Sequence, residues 1–150
     1  ICNWALSEDV KASEIVIFQG LPQRGMIDDF SVYYASEDHS IESLEQEGIK
    51  KVEKGLIIGP EATLVNESLI NKLKPLVLFT PVYQIPTPEG AAAIIDVLNK
   101  RYNLEIDTKP LIEEGKNIKE KMLELAEKAQ QYQKRQIGGV SEEDYTQYYQ

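Results

Sequence analysis

Cysteine, histidine and long apolar runs are what this sequence has least of. One cysteine, Cys2, among 150 residues leaves no partner for an internal disulfide, which fits a reducing, cytoplasmic setting. With His39 the only histidine, neither a His-rich metal site nor a Ser/His/Asp arrangement is read from the chain. Cys2 and His39 as nucleophile and base would still lack any signature for an oxyanion site or an orienting partner. No catalytic residue, metal or cofactor is therefore expected. The longest apolar runs, residues 15–18 and 76–79, are strand-sized, far from the roughly 18 residues that span a bilayer. No signal-peptide pattern is present. Positive charge is also scarce: 16 Lys and Arg against 25 Asp and Glu give a net charge of -9. That balance argues against a nucleic-acid groove or an anionic membrane as partner, since both require clustered cations. The chain opens on Ile1 and not on Met, so a leading segment is expected to lie outside this sequence.

What is present, 42% hydrophobic and 27% charged residues, suffices for one core. Residues 14–20 form a β-branched run closed by Gly20 and Pro22, the pattern of a buried strand. Residues 32–35 are a second strand candidate. A short helix over 40–46 follows, with Ser40 as N-cap and Gly48 as its stop. Residues 55–59 are predicted to be a strand that turns at Gly59 into a helix with Pro60 at its first position. That helix carries Ala62, Leu64, Val65, Leu69, Ile70 and Leu73, and Pro75 ends it. Residues 76–80 give the third buried strand. Prolines 81, 86 and 88 then forbid regular structure until Thr87 caps an alanine-rich helix over 89–102. Strand alternating with helix predicts an α/β fold, a mainly parallel sheet flanked by helices.

From about residue 107 the pattern changes to one long helix reaching about Arg135. Leu111, Gly115, Ile118, Met122, Leu125, Ala129 and Tyr132 step by four and three in alternation, a 3.5-residue period. Such a seam serves either self-association through Leu111, Ile118, Met122, Leu125, Ala129 and Tyr132 or packing on the chain's own body. Gly138 and Gly139 then make a permissive hinge, followed by Glu142, Glu143 and Asp144 and by Tyr145, Tyr148, Tyr149 and Gln150. Two rings beside a terminal carboxylate read either as a docking peptide, one of the recurring recognition modes, or as a tail that folds back. Three segments result: an α/β core over 1–107, a helix over 108–136 and a tail over 137–150. The Gly59 turn offers a helix N-terminus to an anion but lacks the glycines and lysine of a phosphate loop.

Residues 56 to 130 carry a resemblance. The run Gly55-Leu56-Ile57-Ile58-Gly59-Pro60-Glu61-Ala62-Thr63-Leu64-Val65-Asn66 is followed by the strand at 75–80. Then come Pro86-Thr87-Pro88-Glu89-Gly90-Ala91-Ala92-Ala93 and Leu104-Glu105-Ile106-Asp107-Thr108 before a charged helix. This succession resembles the C-terminal portion of the proteasome assembly chaperone family, archaeal type. The resemblance implies a fold related to the nucleoside-phosphorylase type, used as a non-enzymatic binding scaffold, and α subunits of the proteasome core particle as partners. Some members are similar to activators ending in a hydrophobic residue, a tyrosine and any residue, places that Tyr148, Tyr149 and Gln150 occupy. It also implies a homo-oligomer, because short anchors gain from multivalency. The family's N-terminal half, with its glycine-containing first strand, has no counterpart in this reading, as in a fragment or a shortened member. Two other function classes stay open at this stage: a nucleotide- or nucleoside-binding enzyme, ATP-grasp or phosphorylase-like, with the Gly59 turn as its site, and a self-associating module without a proteasome link.

Overall fold

A computed structural model describes residues 1–25, 27, 29–36 and 41–137, with only the backbone described at 41, 42 and 134–137. Two compact units divide the chain, Ile1–Ile112 and Glu113–Gln150.

The first unit is built on a four-stranded sheet. In chain order its elements are α1 (Cys2–Ala5), β1 (Glu14–Pro22), β2 (Tyr33–Ser36), α2 (Ile41–Gln46), β3 (Lys50–Lys51), α3 (Pro60–Ile70), β4 (Lys74–Val82) and α4 (Pro88–Tyr102). The first turn of α5 (Lys109–Ile137) also belongs to it. Spatial order is β1-β4-β2-β3. The β1–β4 and β2–β3 pairs are parallel and β2–β4 is antiparallel, so the sheet is mixed and mostly parallel.

Strand β4 is the centre of the unit, and its composition explains why. Pro75 to Thr80 are all buried, the mark of a strand covered on both faces. Its side chains alternate between two cores. Leu76 and Leu78 join Tyr34, Leu44, Ile49, Ile94 and Val97 beneath α2 and α4, whereas Val77 and Phe79 join Ile17 and, at the margin, Leu64 and Val65 of α3. Fully burying Leu76 and Leu78 contributes about 2 kcal/mol each. A third, smaller cluster of Cys2, Ala5 and Leu73 holds α1.

The helix starts follow the prolines. Pro60 and Pro88 each open a helix at its first positions, where a missing N–H costs nothing. Gly59 precedes α3 at φ 88° and ψ -156°, a region open essentially to glycine. Thr87 takes the N-cap position of α4, but its hydroxyl turns to the preceding loop: it accepts from the Tyr83 amide at 3.0 Å and donates to the Ile85 carbonyl at 2.9 Å. Gly90 lets α4 approach β4, because a Cβ there would lie 3.1 Å from Thr80 Cγ2 and 3.3 Å from the Pro81 carbonyl.

One predicted strand is absent. Residues 55–58 lie outside any strand, and the ladder on β2 consists of Lys50–Lys51 instead. Ile57 packs inward on the α3 side, while Leu56 and Ile58 are 81% and 69% exposed. The apolar alternation that suggested a strand is thus one anchored side chain between two solvent-facing ones. Helix α3 also stops at Ile70, four residues before the sheet resumes at Lys74, and Leu73 is buried in the connection through Lys72, which takes a left-handed φ of 59°. The expected N-cap Ser40 lies outside the described residues.

In the second unit, α5 continues as one helix to Ile137. Five acidic residues and an interleaved set of lysines occupy its solvated faces, as i,i+3 and i,i+4 spacing favours.

Candidate functional site

Among the candidate docking residues, Tyr148, Tyr149 and Gln150 lie outside the described residues. The seam of α5 is described as far as Tyr132. Met122, Leu125 and Tyr132 are 46%, 61% and 69% exposed, and Ala129 is exposed as well. Leu111 and Ile118 are half-buried. The apolar stripe at 3.5-residue spacing therefore presents large side chains to solvent in its C-terminal half.

The root of α5 is set by polar contacts to α4. Asn103 ends α4 in the left-handed conformation at φ 51°. Residues 103–107 are all exposed, so little apolar burial holds them. Asn99 bridges the gap, its Nδ2 donating to the Ile106 carbonyl at 2.8 Å and its Oδ1 accepting the Ile106 amide at 3.1 Å. Thr108 Oγ1 donates to Asp96 Oδ1 at 3.1 Å.

A second polar group ties α4 to β1. Arg101 donates through one guanidinium nitrogen to Glu14 Oε1 and through the other to Ser43 Oγ, both at 2.9 Å. The Tyr102 hydroxyl donates to the other Glu14 oxygen. Burial pulls the Arg101 guanidinium down, yet hydrogen bonds with Tyr102 and Glu14 and the Glu14 charge outweigh it and leave the group above its ordinary value. Burial raises the Tyr102 phenol, and the hydrogen bond to Glu14 adds to the rise, with Arg101 opposing it. The group joins the last turn of α4, the first residue of β1 and α2. Both Glu14 oxygens are engaged, which suits a structural tie.

The remaining sequence candidates for chemistry are not brought together. Cys2 is buried, with Sγ 3.9 Å from the Ser68 hydroxyl, which itself donates to the Leu64 carbonyl at 2.6 Å. His39 lies outside the described residues. At the Gly59 turn, Glu61 Oε2 comes within 3.2 Å of where a Gly59 Cβ would stand. Glu61, in the first turn of α3, thus adds a negative charge near that helix N-terminus, which an anionic ligand would have to oppose. Among the described residues no group of three or more His, Cys, Asp or Glu is placed to hold a metal, and no helix is long and apolar enough to cross a membrane.

Sequence reasoning did not find the Arg101–Glu14 pair, 87 residues apart, or the Asn99–Ile106 contact. The first has no local signal. The second has one, since Asp96 and Asn99 sit three apart on the face of α4 that meets the apolar-polar run at 104–108.

Residues 2–126 match the family described as the PAC2 family. The match reaches back through β2 and β1 to α1, well beyond the stretch from residue 56 onward that carries the sequence resemblance. Among solved structures, a protein of unknown function from Thermoplasma acidophilum is similar at 32% identity and a TM-score of 0.66, over 90% of this chain and 55% of that one. Pyrococcus furiosus PbaA, an archaeal homolog of proteasome-assembly chaperone, matches at 25% identity and a TM-score of 0.74, over 99% of this chain and 60% of that one. Pyrococcus furiosus PbaB, an archaeal proteasome activator, shares the fold at 20% identity and a TM-score of 0.73, over 83% of this chain and 55% of that one. The chain spans 55% to 60% of the length of these three structures.

Proposed function

Since the chain belongs to the PAC2 family, we propose that it is a non-enzymatic, cytoplasmic protein that binds the proteasome core particle. In this reading it meets the α subunits as an assembly chaperone, as an ATP-independent activator, or as both. The observation that carries the reading is the likeness to PbaA over 99% of the chain. The surface chemistry supports it: large apolar side chains stand exposed on α5, and Glu61 places a negative charge in the first turn of α3. A negative charge at that turn disfavours a phosphate ligand there.

Tyr148, Tyr149 and Gln150 supply the docking peptide, with the terminal carboxylate meeting a lysine or backbone N–H groups in the partner. Met122, Leu125, Ala129 and Tyr132, with Leu111 and Ile118, form the self-association seam. Joining copies through it presents several tails at once and raises their effective concentration at a ring of binding sites.

The test mixes the protein with archaeal core particles and follows cleavage of a short fluorogenic peptide, beside co-sedimentation with isolated α subunits. Intact chain is expected to co-sediment with α subunits, and to stimulate cleavage if it activates. A chain lacking residues 148–150 is expected to lose both effects. Equal behaviour of the two chains would remove the tail from the mechanism, and absence of binding by either would remove the proteasome.

A further inference from the structure

Asp96 and Asn99, three residues apart on one face of α4, both reach across to the segment that starts α5. Asn99 uses its whole amide on Ile106, donating to the carbonyl at 2.8 Å and accepting the N–H at 3.1 Å, which copies the paired bonds of a β-ladder. Two residues later Thr108 is tied to Asp96. The Thr108 carbonyl in turn accepts the Leu111 and Ile112 amides at 3.1 and 3.2 Å, and Asp107 Oδ1 accepts the Lys109 amide at 3.0 Å. The residues bound to α4 are thus the residues that nucleate α5. Apolar burial is only partial here, with Leu104 and Ile106 41% and 47% exposed and Leu111 half-buried, so the polar bonds carry the alignment of the segment.

We infer that Asp96 and Asn99 are positioning residues that hold residues 104–112, and with them the first turn of α5, in one geometry on α4. Each bond alone is weak in water, but fixing a helix start also settles the costly nucleation of that helix, so losing one bond loosens the whole segment.

Amide hydrogen exchange tests the clamp directly. Asn99→Ala is expected to speed exchange at Ile106 by about tenfold and also to speed Lys109, Leu111 and Ile112, which Asn99 does not touch, while β4 amides stay unchanged. Thr108→Val, which leaves Asn99 in place, is expected to spread its effect over the same residues, and Glu105→Ala to spread none. Acceleration confined to Ile106, or no acceleration, overturns the proposal. Should Asn99→Ala loosen β4 as well, Thr108→Val decides. Core-particle cleavage is followed in parallel: if deleting residues 148–150 changes nothing, the docking reading falls while the exchange pattern still judges the clamp.

Discussion

Arg101 and Glu14 form a 2.9 Å ion pair between the last turn of α4 and the first residue of β1, with both side chains more than four-fifths buried. Replacing Arg101 with methionine leaves the largely buried Glu14 carboxylate with the Tyr102 hydroxyl as its remaining described partner. The expected loss is about 3 kcal/mol, the low end for breaking a buried pair, read from urea unfolding. A loss under about 1 kcal/mol would mean that solvent screens the pair as it does on open surfaces.

The same group makes stability depend on alkaline pH. The Tyr102 phenol is raised above its ordinary value in the fold, first by burial and then by Glu14. The folded state therefore holds this proton more tightly than the unfolded chain. Its contribution is complete below the unfolded value near 10 and is lost as pH climbs through the folded value. Denaturation at a series of pH values from 8 to about 11.5 is expected to show a fall that Tyr102→Phe makes shallower. Identical slopes in the two proteins would contradict the assignment.

Gly59→Ala places a side chain at φ 88°, where a Cβ also meets Glu61 Oε2 at 3.2 Å. A cost of about 1–3 kcal/mol is expected, visible as a lowered thermal midpoint. Gly55→Ala, whose added Cβ would only reach ordinary contact with Val52 at 3.4 Å, serves as the control and is expected to be nearly neutral.

Leu78→Ala removes a side chain with no exposure from the core between β4 and α4. The expected cost is about 3–4 kcal/mol, from lost transfer energy and the cavity left behind. Calorimetry or urea unfolding checks it.

Leu125→Glu and Met122→Glu should separate assembly from stability. Both side chains are exposed in the single chain, so the sheet's unfolding midpoint is expected to stay within about 0.5 kcal/mol of the parent. Sedimentation is expected to show a smaller species than the parent. An unchanged sedimentation coefficient would remove the seam as a self-association surface.

The fold was legible wherever a residue type has a geometric consequence of its own. Pro60 and Pro88 marked helix starts, and the uninterrupted apolar run of β4 marked a strand covered on both faces. Legibility failed where tertiary contacts choose the structure. Strand β3 is two exposed lysines whose ladder with β2 is made by the backbone, and lysine is not a residue type that announces a strand. Helix α1 is one turn that exists because Cys2 and Ala5 pack on Leu73, too short to persist by its own propensity. Residues 55–58 show the converse, a strand-like alternation left unpaired by a ladder that ends at Lys51. The same divide runs through the candidate site. The apolar stripe of α5 is written in its spacing, whereas the Asn99 and Arg101 contacts join residues whose proximity only folding creates.

Pro75 and Pro81 lie just beyond the four residues of β4, Leu76 to Phe79, that pair with β2. Sliding β2 by two positions would keep Tyr34 facing its core, and so hydrophobicity alone does not forbid it. Yet a slide one way sets Tyr33 opposite Pro81, and a slide the other way sets Ala35 opposite Pro75, each a residue with no N–H for the ladder. The two prolines therefore act as bookends: among the alignments that keep Tyr34 facing its core, neither two-residue slide meets four donor-bearing residues and the observed one does, so core packing and the prolines together fix the sheet that positions α4 and the root of α5.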